Sequence, residues 1–215
     1  MICNGRIILA AGGADIQGPS LFVEGQRVQL KHLAVYGGWR GVSVRAPGSA
    51  TLVGCVLEAN YCGLFTGSKD QEGRSEAPCK CPATLEATLT YVHSSTGCAV
   101  CVFSGSSMQL IGCEVLHGKT ATCPNMAVVG KGSSLVMRGG ACAMNKGKGL
   151  FVQAGGHARL VKSALQRWNS SLPCMVADGE GSLIQLVHMM LDGDIHREDG
   201  GRIVFLEEGE PGYAD

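Results

Sequence analysis

The stretch from Ser49 to Gly67 reads SATLVGCVLEANYCGLFTG and contains two short apolar segments separated by a turn. Its first segment has the pattern Leu-x-x-Cys-x-Leu at Leu52, Cys55 and Leu57, and the second is Gly-Leu-Phe-Thr. Both segments have the length of a strand and are bounded by turn-forming residues. The stretch therefore predicts two short β-strands joined by tight corners.

The same pattern recurs along the chain at intervals of about 25 residues. Its first apolar position, which we call the anchor, is occupied in successive copies by Leu30, Leu52, Leu85, Leu110, Met137, Leu160 and Leu186. A repeat of this length is typical of a solenoid, in which each repeat packs only against its neighbours. We therefore expect binding surfaces on a long face of the stack and not in the pocket of a globule.

Glycine-rich corners follow most of the second segments, for example Gly-Lys-Gly-Ser at 130–133 and Gly-Glu-Gly-Ser at 179–182. The 32 glycines among 215 residues allow frequent turns, because glycine accepts positive φ at no steric cost. The pattern predicts an all-β protein, a single-stranded parallel β-helix of about eight rungs over residues 1–206, followed by a polar tail at 207–215. A leucine-rich repeat is the alternative, since residues 52–60 fit its first half, but a Gly-Val-x-Val strand occupies its second half.

The sequence of residues 49–67 resembles a coil of the right-handed parallel β-helix superfamily, and the resemblance covers about residues 5–206. This superfamily includes the pectin-lyase-like enzymes and also non-catalytic intracellular modules of F-box and adaptor proteins. The resemblance implies the fold but no particular reaction, because the same fold carries both enzymes and scaffolds.

Composition restricts the partners and the compartment. Eighteen basic and eighteen acidic residues give no net charge, so no nucleic-acid or anionic-membrane partner is indicated. The sequence has neither a membrane-spanning apolar run nor a signal peptide pattern after Met1. Several of the eleven cysteines occupy strand positions, and Cys55 and Cys113 are expected two rungs apart, beyond disulfide reach. We therefore expect a soluble protein in a reducing compartment such as the cytoplasm.

A charged insertion at 68–82 lengthens one repeat and contains Cys79 and Cys81. Loops of this kind either carry binding or are plain surface loops, and a zinc site here would lack two ligands. The other close pair, Cys98 and Cys101, is expected to point to opposite sides of a strand. The sequence therefore predicts no metal site.

A carbohydrate-active interpretation depends on two groups of residues. Arg138 and Lys162 are expected side by side on the first sheet, where they would bind the carboxylate of an acidic polysaccharide. Asp192, Asp194 and His196 offer oxygen ligands for Ca²⁺ and an acid–base group. A polysaccharide lyase, a glycoside hydrolase or a sugar-binding module would use these residues. The interpretation is disfavoured because only 5% of residues are aromatic and the hydrolase motifs of the superfamily are missing.

The second segments predict an apolar outer face, with Phe65, Val128 and Phe151 pointing to solvent. Contiguous exposed apolar surface is typical of an interface. The sequence thus favours a non-catalytic repeat scaffold without a cofactor. Its partner would be another protein or a second copy of the chain.

Overall fold

A computed structural model describes residues 2–8, 19–59, 61–67, 82–94, 96–117, 123–144, 147–167 and 172–207. The all-β prediction is confirmed, and parallel strands stack into a β-solenoid of about six turns. No helix that could cross a membrane occurs in these ranges. The insertion, apart from Pro82, and the tail after Glu207 lie outside the described residues. The right-handed winding and the count of about eight rungs stay predictions.

Twenty-one strands make up the described part of the solenoid. In chain order they are β1 (Ile2–Ile8), β2 (Pro19–Val23), β3 (Val28–Tyr36), β4 (Arg40–Arg45), β5 (Ser49–Val53), β6 (Val56–Ala59), β7 (Cys62–Gly67), β8 (Thr84–Thr88), β9 (Tyr91–Ser94), β10 (Val100–Phe103), β11 (Ser107–His117), β12 (Met126–Val129), β13 (Ser134–Met144), β14 (Leu150–Gln153), β15 (His157–Val161), β16 (Ala164–Arg167), β17 (Met175–Asp178), β18 (Leu183–Val187), β19 (Met190–Leu191), β20 (Ile195–Glu198) and β21 (Arg202–Phe205).

These strands form two parallel sheets. The first sheet has 13 strands, and its long members β3, β11 and β13 each pair with two shorter strands on a neighbouring turn. The second sheet has eight strands in the order β2-β4-β7-β10-β12-β14-β17-β20. We call one passage of the chain through both sheets a rung. Adjacent rungs lie ~4.8 Å apart, the spacing of hydrogen-bonded strands.

The predicted anchors lie in the core, with one change of register. The anchors that are almost fully buried are Leu30, Leu52, Leu110, Met137, Leu160 and Leu186. In the third copy, Leu52 and Leu110 both pair with Ala87, so Ala87 is the anchor and the predicted Leu85 lies two residues before it. Leu85 still points inward, because residues two apart on a strand share a face. The insertion at 68–82 caused the error by interrupting the period from which the position was inferred.

Buried serines stabilise the corner between the second sheet and the first. Ser133 Oγ donates to Val129 O of its own rung at 2.8 Å and accepts from Gly105 N of the preceding rung at 3.0 Å. Ser182 Oγ makes the equivalent two bonds, at 2.6 and 3.1 Å. Each serine thus satisfies buried backbone groups on two rungs. This geometry explains why serine ends the Gly-x-Gly-Ser corners.

The inward cysteines behave as small core residues. Cys55 Sγ donates to Leu30 O at 3.5 Å, and Cys113 Sγ donates to Ala87 O at 3.2 Å, in each case on the preceding rung. Thr90 lies on the rung between the two cysteines and accepts from Cys55 N. Eight cysteines of the described residues, from Cys55 to Cys174, form no disulfide. The predicted separation of Cys55 and Cys113 by two rungs is confirmed.

Candidate functional site

A groove with a volume of about 450 Å³ lies on the outer face of the first sheet and spans five rungs. Strand pairing puts each lining side chain beside its equivalent on the next rung. The first row of side chains consists of Arg27, Ser49, Thr84, Ser107 and Ser134. The second row consists of Gln29, Thr51, Glu86, Gln109 and Val136.

The core determines which side chains reach the groove. On β5, Ala50 and Leu52 are buried, whereas Ser49 and Thr51 between them are partly exposed. The same alternation occurs on β8. Successive side chains of a strand point to opposite faces, so inward packing of the anchors fixes the two polar rows on the outside.

The lining is rich in neutral hydrogen-bonding groups. Serine and threonine hydroxyls and glutamine amides both donate and accept hydrogen bonds. Arg27 provides one guanidinium at the first rung, where its backbone N donates to Ser49 Oγ at 2.7 Å. Glu86 is the single carboxylate among the described lining residues. The lining therefore offers hydrogen-bond donors and acceptors along the length of the groove.

The predicted basic pair lies outside the groove. Arg138 pairs with Val161, which puts Lys162 one residue further along on the next rung. The two residues therefore lie on neighbouring rungs, as expected, but neither lines the groove. Lys162 has φ 48° at a corner where Gly139 occupies the preceding rung with φ 62°.

The predicted acidic group lies on other elements. Asp192 follows β19 at one edge of the first sheet, Asp194 precedes β20, and His196 lies on β20 in the second sheet. All three are exposed. Within the described ranges, no group of three or more His, Cys, Asp or Glu residues could hold a metal ion. The residues of the alternative sugar site are thus distributed over two sheets.

The apolar outer face of the second sheet differs from the prediction. Phe65 and Phe151 belong to its outward row, but Phe65 is only 3% exposed and Phe151 is partly buried. The outward position of Val128 is wrong, because Val128 is fully buried in the core and Ala127 lies beside Phe151 in the outward row. The strand β12 is buried on both faces, so its sequence shows no polar alternation to fix the register.

A small apolar cluster covers part of this outer face. Its members are Cys62, Phe65, Cys98, Cys101 and Ala127, with Tyr61, Phe103 and Cys123 packed against them. The Trp39 and Tyr61 rings stack beside it with centroids 4.3 Å apart. Burial, reinforced by the neighbouring cysteines, raises the pKa of Tyr61 to about 12.

Four residues of this cluster, Cys62, Cys98, Cys101 and Cys123, form what we call the thiol cluster. The Cys98 thiol is hydrogen-bonded to those of Cys101 and Cys123, and the Cys101 thiol is also hydrogen-bonded to that of Cys62. The hydrogen bond to Cys101 and burial raise the pKa of Cys98 well above its ordinary value. The hydrogen bond to Cys62 and burial do the same to the pKa of Cys101.

The expectation that Cys98 and Cys101 point to opposite sides is wrong. Strand β10 begins only at Val100, and the chain bends at residues 96, 97 and 99. Strict alternation of side chains therefore does not extend back to Cys98. Both thiols reach the outer cluster as a result.

Sequence reasoning also missed the groove. Its second row consists of the residue directly before each anchor, once the third anchor is moved to Ala87. Aligning the copies on the corrected anchors brings Gln29, Thr51, Glu86 and Gln109 into one polar column. That column was the available signal.

Comparison with known proteins gave no match to a protein-family model, a curated protein or a solved structure. The fold is visible in the strand pairing and in the repeated core positions. The groove and the thiol cluster are the two candidate sites.

Proposed function

We propose that this chain is a non-catalytic binding module of the right-handed parallel β-helix superfamily, and that its groove binds an extended segment of a partner protein. The proposal is carried by two rows of mostly hydroxyl, amide and charged side chains that run across five rungs, with Val136 as their one apolar member. Four rung spacings measure ~19 Å, which corresponds to about six residues of extended chain.

The chemistry of the lining suits a peptide. Every backbone N–H and C=O of a bound segment needs a hydrogen-bond partner, and serine, threonine and glutamine side chains supply both kinds. Arg27 and Glu86 carry opposite charges two rungs apart. A segment with one acidic and one basic side chain in the matching order would pair with both, which favours specificity over raw affinity.

A polysaccharide is the second candidate, because sugar hydroxyls form the same hydrogen bonds with hydroxyl and amide side chains. Two features favour the peptide. The described lining residues contain no aromatic ring on which a sugar would stack. The Glu86 carboxylate would repel the acidic polysaccharide considered from the sequence.

A reducing compartment, such as the cytoplasm, is part of the proposal. Its support is that eight cysteines of the described residues form no disulfide, including those that pack together in the thiol cluster. Proteins of oxidising compartments tend to pair such residues as disulfides.

Selection of displayed random peptides on the immobilised full chain tests the proposal, with a panel of acidic and neutral polysaccharides assayed in parallel. We expect peptides to be enriched on the wild-type chain and to be lost when Gln109→Trp fills the groove at the fourth of its five rungs. Polysaccharide binding that Gln109→Trp abolishes, without any enriched peptide, would favour the second candidate. Peptides that bind the variant as well as the wild type would contradict a role for the groove.

A further inference from the structure

We propose that the thiol cluster is a site of reversible oxidation, at which Cys123 reacts with a peroxide and then forms a disulfide with Cys98. The site lies on the outer face of the second sheet, away from the groove on the first sheet. It is therefore independent of the proposed binding function.

Exposure decides which thiol meets the oxidant. Cys123 is partly exposed, whereas Cys62, Cys98 and Cys101 are 1%, 8% and 5% exposed. Oxidation of cysteine follows access and thiolate character. Cys123 is thus the first thiol of the cluster that a dissolved peroxide reaches.

Strand register selects Cys98 as its partner. Val100 pairs with Met126 on the next rung, so Cys98 and Cys123 lie on adjacent rungs, offset by one residue. Adjacent rungs are ~4.8 Å apart, and disulfides join Cα atoms about 4.4–6.8 Å apart, so cysteines on neighbouring rungs are within reach of each other. Cys123 also packs against the cluster that contains Cys98.

The chemistry balances with a peroxide as the oxidant. The Cys123 thiol gives up its proton and its sulfur attacks one peroxide oxygen. The O–O bond breaks, the departing oxygen takes up a proton and leaves as water or alcohol, and Cys123 becomes a sulfenic acid. The Cys98 sulfur then attacks the Cys123 sulfur, the S–S bond forms, the S–O bond breaks, and water leaves with the Cys98 proton. The two sulfurs lose two electrons and the peroxide gains them. A dithiol reverses the step by thiol–disulfide exchange.

The cluster also contains a positive charge that assists the ionised form. The Arg40 guanidinium lies over the Phe65 ring and lowers the pKa of Cys101, opposing the effect of burial there. A thiolate released during exchange within the cluster is therefore stabilised.

Peptide mapping under non-reducing conditions tests the proposal on the purified full chain. The reduced protein is treated with one equivalent of hydrogen peroxide near neutral pH, and the remaining thiols are alkylated before digestion. We expect a peptide pair linked through Cys98 and Cys123, a loss of two free thiols per chain, and full reversal by dithiothreitol.

Two variants make the test specific. In Cys98→Ser the disulfide cannot form, so we expect Cys123 to accumulate as a sulfenic acid that dimedone traps. In the control Cys142→Ser, which changes a thiol in the solenoid core, the Cys98–Cys123 bond should form as in the wild type. The proposal would be overturned if wild-type Cys123 were oxidised without an intramolecular bond, or if the mapped disulfide joined other cysteines.

Discussion

The guanidinium carbon of Arg40 lies 4.0 Å from the centre of the Phe65 ring on the outer face of the second sheet. Phe65 is 3% exposed, so the contact is shielded from water. Arg40 Nε is buried and has no hydrogen-bond partner among the described residues. The attraction to the ring therefore offsets part of the hydration free energy that the guanidinium loses on burial.

Replacing Arg40 tests this contact. A cation–π contact contributes ~0.5–1 kcal/mol at an exposed site and about 2 kcal/mol when desolvated, so we expect Arg40→Ala to lower the free energy of unfolding by about 2 kcal/mol. Arg45→Ala is the matched control, because Arg45 lies 3.9 Å from the ring centre of Phe22, which is 45% exposed. Urea unfolding measures the loss in free energy of unfolding for both variants. A loss for Arg45→Ala equal to that for Arg40→Ala would contradict the account.

Two adjacent serines separate the role of the corner from that of the groove. Ser133 is buried and bonded to two rungs, while Ser134 faces the groove. Ser133→Ala leaves the Gly105 N–H unsatisfied, at a cost of about 1–3 kcal/mol. Ser134→Ala should change stability by less than ~0.5 kcal/mol. Denaturant midpoints measured side by side check the difference, and equal effects would show that the buried bonds are unimportant.

One substitution should stabilise the chain. Leu89 has φ 48° and its side chain is 69% exposed. The left-handed conformation costs a residue such as leucine roughly 1–2 kcal/mol, and asparagine tolerates it better. We therefore expect Leu89→Asn to raise the free energy of unfolding by about 1 kcal/mol. Thermal unfolding followed by circular dichroism measures the effect, and a lower midpoint would contradict the assigned backbone conformation.

Stability should fall in alkaline solution because buried thiols resist ionisation. Burial raises the pKa of Cys142 to about 12, although Asn125 Nδ2 donates to its sulfur at 2.9 Å. A thiol in the unfolded chain titrates near pH ~8.5. The pKa of Cys142 is higher in the folded chain than in the unfolded chain. The stability that depends on this thiol staying protonated is therefore fully present below pH ~8.5 and is lost as the pH rises towards 12.

The size of this effect follows from proton linkage. Each such thiol lowers the free energy of unfolding by ~1.4 kcal/mol per pH unit between its two pKa values. Cys142→Ala removes one of them, so its stability should decline less steeply above pH ~9 than that of the wild type. Urea unfolding at several alkaline pH values, compared by slope, measures the difference. Identical slopes would show that Cys142 is not a buried neutral thiol in the folded chain.

Much of the fold could be predicted because each rung repeats the same physical solution. The anchors Leu30, Leu110 and Leu160 must all be buried, so the period is visible in the sequence. The Gly-x-Gly-Ser corners are visible for the same reason, since Ser133 bonds two rungs. Register within a strand is harder to predict where both faces are buried, as the error at Val128 shows.

The candidate sites were less accessible to prediction. The groove consists of common polar residues such as Thr51 and Gln109, whose significance arises only from their stacking on adjacent strands. The thiol cluster depends on a bend just before Val100 that brings Cys98 and Cys101 to one side. Neither feature has a residue motif of its own.

Calorimetric titration of a selected peptide into three forms of the chain tests the central claim most directly. Gln109→Trp blocks the groove at the fourth of its five rungs. Gln185→Trp places the same side chain in the same outward row, two rungs beyond the last rung of the groove. We predict that Gln109→Trp raises Kd at least tenfold, equivalent to ~1.4 kcal/mol, and that Gln185→Trp leaves it unchanged. Equal affinity for all three forms would show that the groove on the first sheet is not the binding site.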